Sequence, residues 1–193
     1  MTAARRPVVV GLVGGECSGK TSLATALVER FGGIHVPEVL RAFVDTHGRA
    51  PTQSEQAQVM HEQEAAEGQA RSQAAATNDT IVVCDPAAFM TAIYSMAYYA
   101  DDSLLAAAIA HLSTYDLLVW CDPAIPWEAD GAQRDGPAER DRVDAILADV
   151  VRTHSIAASR VTGSVDERVE LVARACGLGD DPLIHPAKPW PDH

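Results

Sequence analysis

The tightest constraint on this chain lies near its start. Pro7-Val8-Val9-Val10-Gly11-Leu12-Val13 is apolar throughout and runs directly into Gly14-Gly15-Glu16-Cys17-Ser18-Gly19-Lys20-Thr21. An apolar run without polar alternation predicts a strand covered on both faces, the position of a central strand in a parallel sheet. Leu23, Ala26, Leu27 and Phe31 then fall on one stripe, which predicts a helix over Ser18–Phe31 stopped by Gly32-Gly33. The eight residues from Gly14 fit G-x-x-x-x-G-K-[ST] at every fixed position, with strand before and helix after, the context that this motif requires.

The same alternation continues along the chain. Ile34-His35-Val36 reads as a short strand delivering Glu38 to its C-terminal end, Thr80–Asp85 as a buried strand ending in an acid, Tyr115–Cys121 as the next, and Ser155–Val161 as a weaker last one. Gln53–Ala76, Ala88–Tyr99, Ser103–Leu112, Ala138–Arg152 and Asp166–Cys176 have helical length, the last capped by Ser164 and stopped by Gly177. Gln53–Ala76 is Gln- and Ala-rich, polar on most sides and weak in period, so it reads as a peripheral helix. Strands alternating with helices predict an α/β fold of the P-loop NTPase kind, a doubly wound central parallel sheet with helices on both faces. Asp130–Arg142 is charged and Gly-rich and reads as an exposed flap, part of an arginine-containing lid at about 121–140. The expected domain is 1–179. Residues 180–193 hold Pro182, Pro186, Pro189 and Pro191 and read as an extended arm, because proline cannot sustain a helix or central strand.

Fifteen Lys+Arg against twenty-seven Asp+Glu give a net charge of −12, with no basic cluster, which argues against nucleic-acid and anionic-membrane partners. The initial apolar run is broken long before signal or membrane-spanning length, so a soluble cytoplasmic protein is expected. Cys17, Cys84, Cys121 and Cys176 lie far apart and predict reduced thiols, with neither a disulfide framework nor a zinc site. The seven histidines have no ligand spacing and receive no role. A homo-oligomer is compatible with the sequence, which carries no signature of one.

The glycine loop carries the chemistry. Glycines let successive N–H groups of Gly14, Gly15, Glu16, Cys17, Ser18, Gly19, Lys20, Thr21 and Ser22 turn toward a nucleotide phosphate, and the following helix N-terminus adds to that field. Lys20 then reaches the β- and γ-phosphates of ATP, and the Thr21 hydroxyl ligates Mg²⁺. Asp85, at the sheet edge where such folds place ligands, is expected to bind the magnesium shell or accept a proton; its alternative is a helix N-cap. Glu38 and Arg41, one helical turn apart, either orient an acceptor hydroxyl and a phosphate or form a surface ion pair. Arg134 and Arg140 either close over the phosphates or belong to a solvated loop, and Arg142 should already lie inside the next helix. Tyr94, Tyr98, Tyr99 and Trp127 are scarce aromatics that would stack on a ring if they lined a cleft, with ordinary packing as the alternative.

Taken in order, the glycine loop, Val36-Pro37-Glu38-x-x-Arg41, Val82-Val83-Cys84-Asp85 with Thr91 following, Tyr115-Asp116-Leu117, and Pro126-Trp127-Glu128-Ala129-Asp130-Gly131 ahead of Arg134 and Arg140 resemble a known family. It is the AAA-type P-loop kinase family, as in the ribosylnicotinamide kinase domain of the bacterial NAD-biosynthesis regulator. The resemblance runs from about Pro7 to Gly177. It implies transfer of the ATP γ-phosphate to the ribose 5′-hydroxyl of nicotinamide riboside, in NAD biosynthesis. By the same resemblance Gly15–Thr21 bind phosphate and magnesium, Glu38, Arg41 and Asp85 contact the acceptor, and Asp130, Arg134 and Arg140 act from the lid; Thr91, Tyr94, Trp127 and Asp130 are further candidate acceptor residues. This chain departs from the family in having Pro37 and Val39 where an aromatic usually flanks the glutamate, and Ala87 where a second acid often follows Asp85. Those positions bear on the acceptor, for which other nucleosides or nucleotides are the alternative; a nucleotide-dependent regulatory ATPase is the alternative of a different class.

Overall fold

A strand without a polar face must be flanked on both edges and covered on both faces. β1 (Val8–Val13) is placed so, with Val9, Val10, Leu12 and Val13 at most 2% exposed. The computed structural model describes residues 6–122 and 137–178. Trp127, Asp130 and Arg134, most of the expected lid and the proline-rich arm lie outside the described residues.

From β1 the chain runs through α1 (Lys20–Phe31), β2 (Gly33–Pro37), α2 (Val39–His47), a 3₁₀ turn at Gln53–Glu55, α3 (Gln56–Thr77), β3 (Ile81–Asp85) and α4 (Phe89–Tyr99). It continues through α5 (Leu105–His111), a 3₁₀ turn at Leu112–Thr114, β4 (Leu117–Cys121), α6 (Pro137–Thr153), β5 (Ser159–Val161) and α7 (Val165–Cys176). All strand pairs are parallel, in the order β2-β3-β1-β4-β5. One sheet face packs on Leu23 and Leu27 of α1 and Val169 and Val172 of α7. The other is covered by α3, α4 and α6, through Ala70 and Ala74, Phe89 and Ile93, and Leu147. The expected doubly wound α/β architecture is the one observed.

Three elements differ from expectation. α1 starts at Lys20 rather than Ser18, because Cys17 (φ 54°) and Gly19 (φ 81°) hold left-handed backbone that a right-handed helix excludes. The last strand is only Ser159–Val161, since Ser155 at φ 51° still belongs to the turn closing α6. α3 is not peripheral: Val59, Met60, Ala70 and Ala74 are buried beside Gln56, Gln63 and Glu67. Polar residues on the inward stripe erase the apolar period that would announce it. α2, for which the sequence predicts no element, buries none of its residues fully.

The buried acid of α3 organises one end of the sheet. Glu67 has no exposed surface; its Oε1 accepts from the Ala88 N–H at 2.9 Å, while its Oε2 accepts from the Tyr115 hydroxyl at 2.7 Å and lies 2.9 Å from His111 Nε2. The Tyr115 hydroxyl also accepts from the Ala88 N–H at 3.0 Å. Burial, and then the Glu67 charge, push the Tyr115 phenol far above its ordinary range, so it stays a donor. α3, α5 and the turn between β3 and α4 are thereby joined at one carboxylate. Glu67→Ala would leave the Tyr115 hydroxyl without its acceptor and His111 Nε2 without its partner, and is expected to cost about 3 kcal/mol. Urea denaturation measures it, and a loss below about 1 kcal/mol would contradict the role of this network.

Candidate functional site

The Gly14–Thr21 loop leaves β1 at the C-terminal edge of the sheet, beside the end of β4. A Cβ on Gly14 (φ 136°) would stand 2.6 Å from the Cys121 carbonyl oxygen and 3.0 Å from Ser18 Oγ, so only glycine lets the loop sit this deep. Inside the loop, the Ser18 hydroxyl donates to the Gly15 carbonyl at 2.8 Å, and Lys20 Nζ donates to the Gly14 and Gly15 carbonyls at 2.9 and 2.7 Å. The lysine is thus folded across its own loop. Thr21, the second residue of α1, is exposed, as is Ser22.

α6 closes one side. Arg140, in its first turns, places Cγ 2.9 Å from where a Gly15 Cβ would stand, and four residues on Asp144 Oδ1 accepts the Gly15 N–H at 3.1 Å. Arg140, a lid candidate from sequence, thus lies against Gly15 with its side chain mostly covered. The sequence does not single out Asp144, whose one local signal is its i, i+4 spacing from Arg140. Burial raises the Asp144 carboxyl above its ordinary value of 3.8, against the downward pull of the Gly15 amide, the Trp120 side chain, Lys20 and Arg160.

The opposite wall is acidic. β3 ends in Asp85, 5% exposed, with His35 Nε2 of the neighbouring β2 at 3.2 Å from its Oδ2. Asp85 is not a helix cap: α4 begins four residues on, with Ala88 at its N-cap. The Asp85–Pro86 peptide between them is cis. Glu38, two residues past Val36 and at the N-cap of α2, pairs with Arg41 Nε at 3.1 Å. Tyr94 is buried on α4, one turn beyond the buried Thr91. Its phenol is pushed well above the usual range by burial first, then by the charges of Glu38 and Glu16, Tyr98 and Asp85. Arg41 feels Glu38, Asp85 and Tyr94 in turn. Glu16, Glu38, Arg41, Asp85 and Tyr94, separated by up to 78 residues in sequence, therefore share one electrostatic neighbourhood. Lys20 and Asp85 both act on the buried Cys121 thiol, linking this wall to the glycine loop.

Not every aromatic joins it. The Tyr99 hydroxyl donates to the Pro51 carbonyl and straps the loop before α3. Tyr98 tilts against Tyr94 at 6.3 Å between ring centres and is 40% exposed. His35 has no role legible from sequence, and its place beside Asp85 follows only from the β2–β3 register. Among the described residues no cluster of three or more His, Cys, Asp or Glu side chains forms a metal cage. Thr21 and Asp85, the metal candidates from sequence, bear oxygen donors of the type suited to Mg²⁺, one on the exposed first turn of α1 and one at the buried end of β3. All four cysteines are free, and no helix of the described residues is long and apolar enough to cross a membrane.

A parallel sheet in this strand order with a glycine-lysine loop after its central strand defines an α/β P-loop NTPase fold. The profile of the AAA domain family matches residues 9–168, and the chain belongs to that family. Among solved structures it is similar to NadR protein in complex with NR (TM-score 0.75, 16% identity, 94% of this chain and 55% of that chain) and in complex with NAD and AMP-PNP (0.72, 15%, 94% and 53%). The chain therefore spans about half the length of those NadR chains. It is also similar to thymidylate kinase from Ehrlichia chaffeensis (TM-score 0.62, 16% identity, 88% of this chain and 98% of that chain). No curated protein matches in a sequence search.

The raised Asp144 carboxyl gives a signed prediction. A folded-state value above the unfolded one means that charging Asp144 costs folding energy, a cost that is absent in acid and sets in as pH rises past 3.8 through the folded-state value. Asp144→Asn keeps an oxygen for the Gly15 N–H and removes that cost. It is expected to melt at or above the wild-type temperature at neutral pH, with the gap shrinking as pH is lowered through the folded-state value toward 3.8. A gap that widens in acid would refute the assignment.

Proposed function

We propose that the chain is an ATP-dependent small-molecule kinase that transfers the γ-phosphoryl group to a nucleoside-like hydroxyl, with nicotinamide riboside as the acceptor and nicotinamide mononucleotide as the product. The observation that carries the reading is that Glu38 with Arg41 and Asp85 with His35 stand at the ends of the adjacent strands β2 and β3, on the same sheet edge as the glycine loop, because a hydrolase or switch needs no organic-acceptor wall. The balance of charge supports the choice of acceptor. At the β2 and β3 edge, Glu38 and Asp85 against the single guanidinium of Arg41 disfavour a phosphorylated acceptor such as a nucleoside monophosphate and attract a cationic ring. The structural likeness to NadR in complex with NR agrees with that choice.

In this reading the loop from Gly14 to Ser22 holds the polyphosphate, and Lys20, leaving the Gly14 and Gly15 carbonyls, meets its terminal oxygens. Thr21 and Asp85 would hold Mg²⁺, which supplies positive charge to the transferring group. Glu38 and Arg41 orient the acceptor, Thr91 and Tyr94 line its seat, and a carboxylate of Glu38 or Asp85 takes the hydroxyl proton as the new P–O bond forms and ADP departs. His35, bonded to Asp85, holds that carboxylate in place. Arg140 adds charge over the phosphates; Trp127 and Asp130 would meet the acceptor and Arg134 would act from the lid at about 121–140, within a kinase domain of residues 1–179 in a cytoplasmic protein.

ATP consumption is measured against nicotinamide riboside, a panel of ribo- and deoxyribonucleosides, and thymidylate. Nicotinamide riboside is expected to raise the rate well above water background and thymidylate not to; if no acceptor raises it, the kinase reading fails. Glu38→Gln and Asp85→Asn are expected to lower turnover by about 10²-fold or more for whichever carries the proton. The other should mainly raise KM for its ligand.

A further inference from the structure

We propose that Arg168 is the positioning residue of the phosphate loop: its buried guanidinium holds the Ser18–Gly19 peptide so that the Gly19 amide faces the bound polyphosphate. The proposal rests on the nucleotide reading of that loop but not on the identity of the acceptor. Arg168 is 2% exposed, among the largest fully covered side chains in the protein, although it carries a charge that cannot be shed. Its Nη1 donates to the Ser18 carbonyl at 2.7 Å and its Nε to the Gly163 carbonyl at 3.0 Å. Among the described residues it has no carboxylate within ion-pairing distance, so neither acceptor bears a formal charge.

Burying a permanent cation against neutral carbonyls is unfavourable for folding alone. An anion held on the other side of the loop offsets it. The peptide geometry gives the route: in a planar trans peptide the C=O and N–H point opposite ways, so a guanidinium drawing the Ser18 carbonyl to one side turns the Gly19 N–H to the other. Gly19 has the left-handed φ of 81° at the N-cap of α1, where an inward amide adds to the helix field. Arg168 on the Ser18 carbonyl and Lys20 on the Gly14 and Gly15 carbonyls place two cations against the one loop. The helix that carries Arg168 is anchored on α1, where Val169 and Val172 pack with Leu23 and Leu27. The reciprocal cap of Ser164 and Glu167 at the start of α7 is an exposed contact separate from the two bonds of the guanidinium.

Calorimetric titration of the full chain with Mg-ATP and with magnesium tripolyphosphate tests this, using wild type, Arg168→Gln, Arg168→Lys and Glu167→Ala. Losing a charge-assisted bond at the loop is expected to weaken Arg168→Gln for both probes by roughly ten- to a hundredfold. Arg168→Lys keeps the charge but cannot span both carbonyls, and should fall between. Glu167→Ala removes the cap and leaves the guanidinium, so it should lower the melting temperature while holding affinity within about twofold. Arg168→Gln binding within about twofold of wild type, or losing no more affinity than Glu167→Ala, overturns the proposal. If Arg168→Gln does not fold, Arg168→Lys decides, with wild-type affinity as the refuting result. Wild type that binds neither probe overturns the loop reading and this proposal together. Wild type that binds both but phosphorylates no acceptor overturns the kinase reading alone.

Discussion

The contact on which the rest depends is between two backbones, at Gly14 and Cys121. The chain leaving β1 passes so close to the end of β4 that a single Cβ would collide with a carbonyl oxygen. That closeness sinks the loop between the strand ends rather than letting it stand above them. Once there, it is reached by side chains from three directions: Asp144 and Arg140 from α6, Arg168 from α7, and its own Lys20 and Ser18. A parallel sheet makes this possible because every strand ends at the same edge, so loops remote in sequence open onto one crevice.

Lys20 lies folded across the glycine loop and Arg168 donates to its Ser18 carbonyl, while two acids share the loop, Glu16 within it and Asp144 on its Gly15 amide. The β2 and β3 edge carries Glu38, paired with Arg41, and Asp85, beside His35. Behind that edge, the Glu67 network fixes the turn after Asp85 through the Ala88 amide, so the position of Asp85 is set from α3 and α5 as well as from its own strand.

Much of this architecture is legible in the amino-acid sequence. β1, the loop and α1 can be read because an apolar run, a fixed glycine-lysine spacing and an amphipathic stripe are local patterns. Asp85 and Glu38 can be assigned to one edge because each ends a strand of a parallel sheet. α3 reads as peripheral, wrongly, because Gln63 and Glu67 face inward and hydropathy counts a buried, bonded carboxylate as solvent-facing. His35, Asp144 and Arg168 escape a sequence reading for a related reason: each acquires its meaning from one partner 50, 129 or 150 residues away.

The sequence by itself determined the fold class, the loop and the identity of the acids and bases at the strand ends, since periodicity and turn chemistry act over a few residues at a time. Only the tertiary structure decided which of those charged groups face one another. It set His35 against Asp85 through strand register, closed α6 onto Gly15, and buried Arg168 beneath Ser18. Such pairings depend on how layers stack and on which charges burial can tolerate, and no local pattern in the chain encodes either.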